Sequence, residues 1–243
     1  MLLLRPPGVY RPQGDTRLLA SCVRRERLDA SGRVLDLCTG TGAVALVAAQ
    51  AGAQVTAVDL SARAVATAWL NSRLHGSRIR LRRGDLADPV VGRRFDLITA
   101  NPPYVPVDPT AGAAGAAGAA GAAGAAGRTR GRRNGRRTAA HGAALAWDAG
   151  PDGRLVLDRI CRTAPDLLAA HGVLLLVQSS LADVPATLAQ LRAAGLRTEV
   201  AARRRQPFGP VMSARAALFE RRGLIGPGER EEELVVVRGV RER

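Results

Sequence analysis

An Asn-Pro-Pro-Tyr corner at residues 101–104 directly follows the apolar run at 95–100. Proline has no backbone N–H and a fixed φ, so the corner is stiff and presents carbonyl groups. The side-chain carbonyl of Asn101 and the backbone carbonyl of Pro102 can together accept both hydrogens of one planar NH2 group. Tyr104 can lie against the flat face of that group. The corner therefore predicts a site that holds an amide or an exocyclic amine.

Glycines and acidic residues upstream of this corner describe a nucleoside site. A predicted strand at 33–38 leads into Gly40 and Gly42, which allow the backbone to approach a ligand closely. Asp59 ends the next strand, where a carboxylate can accept both hydroxyls of a ribose. Asp85 follows a third strand-like segment. A nucleoside bound beside an NH2 group indicates that the ligand carries a group for transfer to nitrogen.

The motifs differ in how specifically each one indicates this kind of site. A Gly-x-Gly turn after a strand occurs in many Rossmann-type proteins, and here the third glycine of a dinucleotide-binding motif is missing. Asp59 alone would also suit NAD, and Asp85 alone would suit a surface turn or a helix cap. The Asn-Pro-Pro-Tyr corner after a buried strand is the discriminating feature.

Together these motifs resemble the class I S-adenosylmethionine-dependent methyltransferases, in the HemK-like branch of protein-glutamine N-methyltransferases. The chain is similar to the compact form of that branch, which has no separate N-terminal substrate domain. The resemblance rests on segments 9–16, 36–42, 101–104 and 147–154, and on Asp59 and Asp85. Cys38 departs from the glycine that commonly stands beside the turn.

The resemblance implies S-adenosyl-L-methionine as the cofactor, no metal, and a set of contacts. Cofactor-binding residues would be Thr16 and Asp36 at the methionine end, Gly40 and Gly42 around the pocket, Asp59 at the ribose, Asp85 and Leu86 at the adenine, and Asn101. Catalytic residues would be Asn101, Pro102 and Tyr104. Asp36 has an alternative role as a hydrogen-bond partner for the turn backbone.

Three functions agree with these features. The first is methylation of a glutamine side chain, in an exposed Gly-Gly-Gln loop of a translation release factor. The second is methylation of an exocyclic amine in ribosomal RNA, because the same corner serves adenine and guanine amines. The third is a non-catalytic module that binds RNA or ribosomes through arginines, which the intact motifs make improbable.

The net charge and the cysteine content limit which binding partners and which cellular compartment agree with the sequence. The chain has a formal net charge of +15 from 36 basic residues, all of them arginine. This agrees with a coding bias, and equally with contact to RNA, ribosomes or an acidic protein. Its three cysteines show no metal-binding spacing, which suits the cytoplasm. We expect no membrane segment.

Alternating strand and helix patterns predict one α/β domain over 1–243, with a Rossmann-like, seven-stranded, mostly parallel sheet covered by helices on both faces. An Ala/Gly-rich and then Arg-rich stretch at 111–137 is predicted to be a flexible insertion. Asp15 is expected to cap the first helix. Further predicted helices cover 153–170, 182–194 and 213–222, and further predicted strands cover 173–177, 196–202 and 234–237.

Overall fold

The computed structural model of the protein describes residues 2–108 and 149–242. The strands are β1 (Arg33–Leu37), β2 (Gln54–Asp59), β3 (Ile79–Arg83), β4 (Phe95–Ala100), β5 (Leu168–Ser179), β6 (Leu196–Pro207) and β7 (Glu231–Arg241). The α-helices in the described residues are α1 (Gly14–Val23), α2 (Ala43–Gln50), α3 (Ala62–Leu74), α4 (Leu155–Thr163), α5 (Val184–Ala193) and α6 (Pro210–Arg221).

The seven strands form one sheet in the order β3-β2-β1-β4-β5-β7-β6. Neighbours from β3 to β5 run parallel, whereas β7 runs antiparallel to both β5 and β6. The predicted seven-stranded, mostly parallel sheet is therefore confirmed. In this arrangement β1 to β4 all end at the same edge, where ligands bind in open α/β sheets.

Alternation along the strands builds two cores, one on each face of the sheet. Val34 of β1 packs into a core with α1 and α2, while its neighbour Leu35 packs into a core with α4, α5 and α6. Leu174 and Leu175 of β5 divide between the two cores in the same way. The prediction of helices on both faces is confirmed, and the sheet holds the strand ends in fixed register.

The helix predicted over 153–170 is wrong in its second half. Helix α4 ends at Thr163, a single 3-10 turn follows at Pro165–Leu167, and β5 begins at Leu168. Pro165 lacks the N–H that an α-helix needs at that position, so the helix cannot continue through it.

Two other predictions about this half of the chain need correction. Asp15 is not the cap of α1, because the helix begins at Gly14 and the cap position is Gln13. Strands β6 and β7 are longer than predicted. They pair over eleven register positions as one antiparallel ribbon, from Leu196 opposite Arg241 to Pro207 opposite Glu231.

The insertion predicted at 111–137 lies outside the described residues, and the single domain over 1–243 stays a prediction. Among the residues that are described, no helix has the length and apolar character to cross a membrane. In the same part of the chain, no three His, Cys, Asp or Glu side chains gather in a way that could hold a metal ion.

Candidate functional site

A cleft of about 290 Å³ lies at the carboxyl ends of β1 to β4. Its walls come from the turn after β1, the ends of β2 and β3, the Asn-Pro-Pro-Tyr corner and one side of α4. The predicted site residues that line it are Gly40, Asp59, Asp85, Leu86, Asn101, Pro102 and Tyr104. Its size approaches the range usual for pockets that hold small molecules.

The turn after β1 is held from below by Asp36, which is 2% exposed. Its carboxylate accepts hydrogen bonds from the Thr39 hydroxyl at 2.5 Å and the Thr99 hydroxyl at 2.6 Å. Burial raises the pKa of Asp36 to about 6, against the lowering effect of those hydrogen bonds. Asp36 therefore supports the turn from behind the cleft wall, and its contact with the methionine end of a cofactor stays a prediction.

Gly42 ends the turn with φ of +80°, immediately before α2. A Cβ at this position would lie 3.1 Å from the Cβ of Ala68 on α3, so the turn and α3 can approach only around a glycine. Gly42 thus shapes the pocket by packing, without lining it. Cys38, on the other side of the turn, lines the cleft and also has a positive φ of 56°.

Asp59 joins the turn to the start of α3. One carboxylate oxygen accepts the backbone N–H of Gly40 at 2.8 Å, and the other accepts the backbone N–H of Ser61 at 2.9 Å. Burial raises the pKa of Asp59, while these two backbone hydrogen bonds lower it. A carboxylate oxygen has lone pairs for more than one donor, so both oxygens can also accept ligand hydroxyls.

At the far end of the cleft Asp85 forms an ion pair with Arg159 of α4, with 2.9 Å between Oδ2 and Nη2. The hydrogen bond to Asp85 raises the pKa of Arg159. Leu86 is buried and has a φ of +46°, a conformation that a leucine adopts only when its surroundings hold it there. These contacts fix the shape of the loop at this end of the cleft.

A chain of hydrogen bonds orients the side chain of Asn101. Its Nδ2 donates to the Thr16 hydroxyl at 3.3 Å, and that hydroxyl donates to Oδ1 of Asp15 at 3.1 Å. Because the amide NH2 group is turned towards Thr16, the amide oxygen is left as the acceptor for a group in the cleft. Thr16 itself lies behind the cleft lining.

The buried Asp15 carboxylate also accepts hydrogen bonds from both tyrosines of the chain. Oδ2 of Asp15 accepts the Tyr10 hydroxyl at 2.5 Å and the Tyr104 hydroxyl at 3.0 Å. Burial, followed by the nearby Asp15 carboxylate, raises the pKa of each phenol well above its usual value. Both phenols therefore stay protonated and donate to Asp15, which anchors the corner to α1.

Gly153 fixes the corner from the opposite side. Its φ is +77°, and a Cβ there would collide with the backbone carbonyl oxygen of Tyr104. The backbone just before α4 can therefore pack onto the corner only because this residue is glycine. The predicted importance of the segment at 147–154 has a structural basis here, although residues 147 and 148 lie outside the described residues.

Several residues that line the cleft were not predicted as site residues, among them Tyr10, Asp15, Cys38 and Arg159. Tyr10, Asp15 and Cys38 were noted as parts of motifs, without a role in the site. The sequence did contain one signal: Tyr10 and Tyr104 are the only tyrosines in the chain, and they lie in the motifs at 9–16 and 101–104. No pattern around Arg159 indicated that α4 would reach Asp85.

Comparison with known proteins agrees with this geometry. Residues 3–118 match the family described as "Methyltransferase small domain". A Methanocaldococcus jannaschii protein named "Putative protein N5-glutamine methyltransferase" is 30% identical over 208 residues, covering 85% of this chain and 90% of that protein. The chain belongs to the HemK-like class I methyltransferases. It is thus an S-adenosylmethionine-dependent methyltransferase by family.

Two further proteins are similar to this chain, one over part of its sequence and one in its fold. The release factor glutamine methyltransferase of Geobacter sulfurreducens is 39% identical over 102 residues, which is 41% of this chain but only 36% of that protein. The solved E. cuniculi Mtq2-Trm112 complex, described as responsible for methylation of the eRF1 translation termination factor, matches with a TM-score of 0.58. At 22% identity, over 96% of this chain and 99% of that one, it shows the shared fold.

The residues of the cleft fit the cofactor of the HemK-like methyltransferases. Asp59 offers two carboxylate oxygens where the ribose is predicted, and Gly40 in the turn after β1 has a positive φ of 55°. Asp85 and Leu86 lie at the end where the adenine is predicted. S-adenosyl-L-methionine, when bound, supplies a methyl group activated by its attachment to a sulfonium.

We expect Asp59→Ala to weaken binding of S-adenosyl-L-methionine and of its demethylated product by about 1–3 kcal/mol, because charge-assisted hydrogen bonds to hydroxyls are lost. Titration calorimetry measures this, with the exposed Asp88→Ala as the matched control. Asp59→Asn removes the charge but keeps one acceptor oxygen, so it can retain only one of the two bonds to Gly40 and Ser61 and should lose less affinity than Asp59→Ala. Tight binding of NAD by the wild-type protein would contradict the assignment of the cleft.

Proposed function

We propose that this protein transfers a methyl group from S-adenosyl-L-methionine to the side-chain amide nitrogen of a glutamine in a translation release factor. The observation that carries the proposal is the orientation of Asn101 in the stiff corner. Its NH2 group is held by the Thr16 hydroxyl, which leaves its amide oxygen as an acceptor, and both Asn101 and Pro102 line the cleft. Two neighbouring acceptors suit a primary amide, which has two N–H donors on one nitrogen.

The chemistry of an amide explains why such acceptors are needed. The lone pair of an amide nitrogen is delocalised into its carbonyl, so the nitrogen is a weak nucleophile. Hydrogen bonds from its two N–H groups to Asn101 and Pro102 would build electron density on nitrogen as the new N–C bond forms. As the N–C bond forms, the S–C bond of the sulfonium breaks with its electron pair staying on sulfur. The proton that nitrogen loses passes to solvent water, because amide and backbone carbonyls are too weakly basic to keep it. Fixed acceptors cost no reorganisation during the reaction, so positioning and preorganised dipoles supply most of the effect.

The shape of the corner agrees with a planar acceptor. Tyr104 is buried with its hydroxyl fixed on Asp15, so its ring is held rigidly in the cleft wall beside Pro102. A flat amide can pack against an aromatic ring held in this way. We therefore propose that the corner receives the planar end of a side chain presented by a flexible loop.

The release factor is proposed as the carrier of that glutamine because relatives with this chemistry are named for it. The Methanocaldococcus jannaschii relative is named for glutamine N5-methylation, and the Geobacter sulfurreducens relative for release factors. A Gly-Gly-Gln loop has two glycines with wide conformational freedom, so its glutamine can enter the cleft with little steric resistance.

The substrate is tested by methyl transfer with labelled cofactor. Parallel reactions contain the release factor, its Gln→Ala variant in the Gly-Gly-Gln loop, intact ribosomes and protein-free ribosomal RNA. We expect one methyl group on the intact factor and none on the Gln→Ala variant. The Asn101→Ala enzyme serves as the control for contaminating activity.

Each other outcome identifies a different acceptor. Label on protein-free RNA alone would favour an exocyclic amine and reject the glutamine. Label on a ribosomal protein alone would keep glutamine chemistry but reject the release factor. Label on the factor that survives the Gln→Ala change would place the acceptor elsewhere in that protein.

A further inference from the structure

A second concave surface lies at the opposite edge of the sheet from the cofactor cleft. It has a volume of about 380 Å³ and includes Arg33, Gln54 and Phe95, which are the first residues of β1, β2 and β4. The cleft lies at the other end of the same strands. Strands of five or six residues at about 3.3 Å per residue separate the two surfaces by roughly 17–20 Å.

Four arginines line this surface, which we call the arginine groove: Arg33, Arg80, Arg93 and Arg94. None of the described residues that line the groove is acidic. Asp96 lies nearby and is 3.6 Å from Arg33, in an ion pair with both side chains about half exposed. The groove therefore keeps most of its positive charge.

The arginines differ in how they are held. Arg94 donates a hydrogen bond to the backbone carbonyl of Asp166, which fixes its guanidinium without neutralising it. Arg80 and Arg93 are exposed and make no ion pair with any residue in the described parts of the chain. The groove thus combines one guanidinium held by the backbone with two exposed guanidinium groups that make no ion pair in the described residues. Several such groups along one surface can bind successive charges of an extended anion.

We propose that the arginine groove is a docking surface for the phosphate backbone of structured RNA. A guanidinium forms two parallel hydrogen bonds with a phosphate, so arginine is the favoured residue for such contacts. The charge also continues beyond the groove. Arg82 lies two residues from Arg80 on the edge strand β3, on the same face and about 6.6 Å away along the strand.

An RNA backbone fits the groove better than an acidic protein does. Protein interfaces depend on a few buried aromatic or aliphatic anchors, with charges at the rim. The only aromatic or aliphatic side chain among the lining residues is Phe95, which is 3% exposed and belongs to the core. The groove also offers no exposed aromatic ring on which a base could stack, so recognition would be of phosphates and shape.

The position of the groove separates docking from chemistry. An RNA strand held at the amino ends of the strands does not enter the cleft at their carboxyl ends. The proposal therefore goes beyond the assignment of the methyl acceptor and does not depend on it. It identifies a means of bringing the enzyme to ribosomes or other RNA-rich particles.

The test compares two double variants of the full-length protein. Arg80→Gln with Arg93→Gln removes two charges from the groove, and Arg24→Gln with Arg221→Gln removes two exposed arginines elsewhere. Binding to a fluorescent double-stranded RNA is measured by anisotropy across a range of salt concentrations. The arginines at 128–137 are identical in all variants, so their contribution cancels in the comparison.

We expect the groove variant to bind RNA about tenfold more weakly at low salt, with the slope of log K against log salt reduced by about 2. The control variant should lose no more than about twofold. Methyl transfer to an isolated protein acceptor should be unchanged in both, and the RNA assay contains neither cofactor nor acceptor. A failure of the proposed substrate would therefore leave this result standing.

Equal losses in the two double variants would overturn the proposal, because net charge alone would then explain the binding. No loss in the groove variant would overturn it as well. Poly-glutamate is run as a second ligand. If it binds more tightly than RNA and shows the larger loss in the groove variant, the surface is a protein-docking site and the RNA assignment is wrong.

Discussion

Replacing Asn101 with alanine is expected to reduce methyl transfer by about a hundredfold or more, which is the usual effect of removing one preorganised transition-state group. The affinity for S-adenosyl-L-methionine should change little, since Gly40, Asp59 and Asp85 remain in place. Single-turnover transfer and titration calorimetry measure the two effects separately. An equal fall in cofactor binding would mean that Asn101 holds the cleft together rather than the acceptor.

Thr16→Val provides a matched test of how Asn101 is oriented. Valine keeps the shape of threonine but cannot accept the hydrogen bond from Nδ2 of Asn101 or donate to Asp15. The amide of Asn101 is then free to rotate, and a smaller loss of methyl transfer, about tenfold, is expected. If Thr16→Val instead weakens cofactor binding and leaves turnover at saturation unchanged, Thr16 contacts the methionine end as the resemblance implies.

Sequence patterns predict those site residues that lie in short local motifs at the ends of strands. Asp59 ends a strand and Gly40, Asp85 and Asn101 each come just after one. Parallel strands bring their carboxyl ends to one edge. A pattern of strands and turns therefore places these residues together without any knowledge of long-range contacts. All four line one cleft in the structure.

The network around Asp15 could not be predicted in that way. Its contact with Tyr104 spans 89 residues, and the contact between Thr16 and Asn101 spans 85. No local periodicity reports such a pairing, and an aspartate near the start of a helix has a simpler interpretation as a cap. Only the packing of α1 against the corner distinguishes the two roles.

The lengths of β6 and β7 were underestimated for a different reason. Hydrophobic patterns mark the buried middle of each strand, but the ends of this ribbon are polar. Arg203 and Glu233 pair across it at 2.5 Å, and Gln206 donates to Glu232 at 3.0 Å. Cross-strand pairs of this kind extend a ribbon beyond its apolar core, and single-sequence patterns do not reveal them.

Arg154 illustrates how a motif residue supports the cleft without touching it. It is 6% exposed and lies just before α4. Its Nε and Nη2 donate to Asp158 at 3.0 and 2.7 Å, and its Nη1 donates to the carbonyls of Ala182 and Asp183 and to the Thr187 hydroxyl. One guanidinium therefore joins the starts of α4 and α5, and α4 supplies Arg159 to the cleft.

We expect Arg154→Met to lower the free energy of unfolding by about 2–4 kcal/mol, because the half-buried Asp158 carboxylate and three further oxygens lose a charged donor. Among the described side chains, Asp158 keeps only the neutral donor Gln190, and the Ala182 carbonyl keeps only Gln178. For a chain of this size that loss lowers the melting temperature by on the order of ten degrees. Arg154→Lys should recover little of it, since an ammonium cannot span the positions that the guanidinium fork reaches. Thermal and urea unfolding measure the change.

The exposed Arg162→Met on the same helix is the control, and it should change the unfolding free energy by less than about 0.5 kcal/mol. Well below its melting temperature, folded Arg154→Met protein should also bind S-adenosyl-L-methionine more weakly, because α4 is less firmly held and Arg159 no longer fixes Asp85 in place. Unchanged stability would show that the buried guanidinium only compensates its own desolvation. Reduced stability with unchanged cofactor affinity would show that the cleft wall is held by the packing of α4 rather than by Arg154.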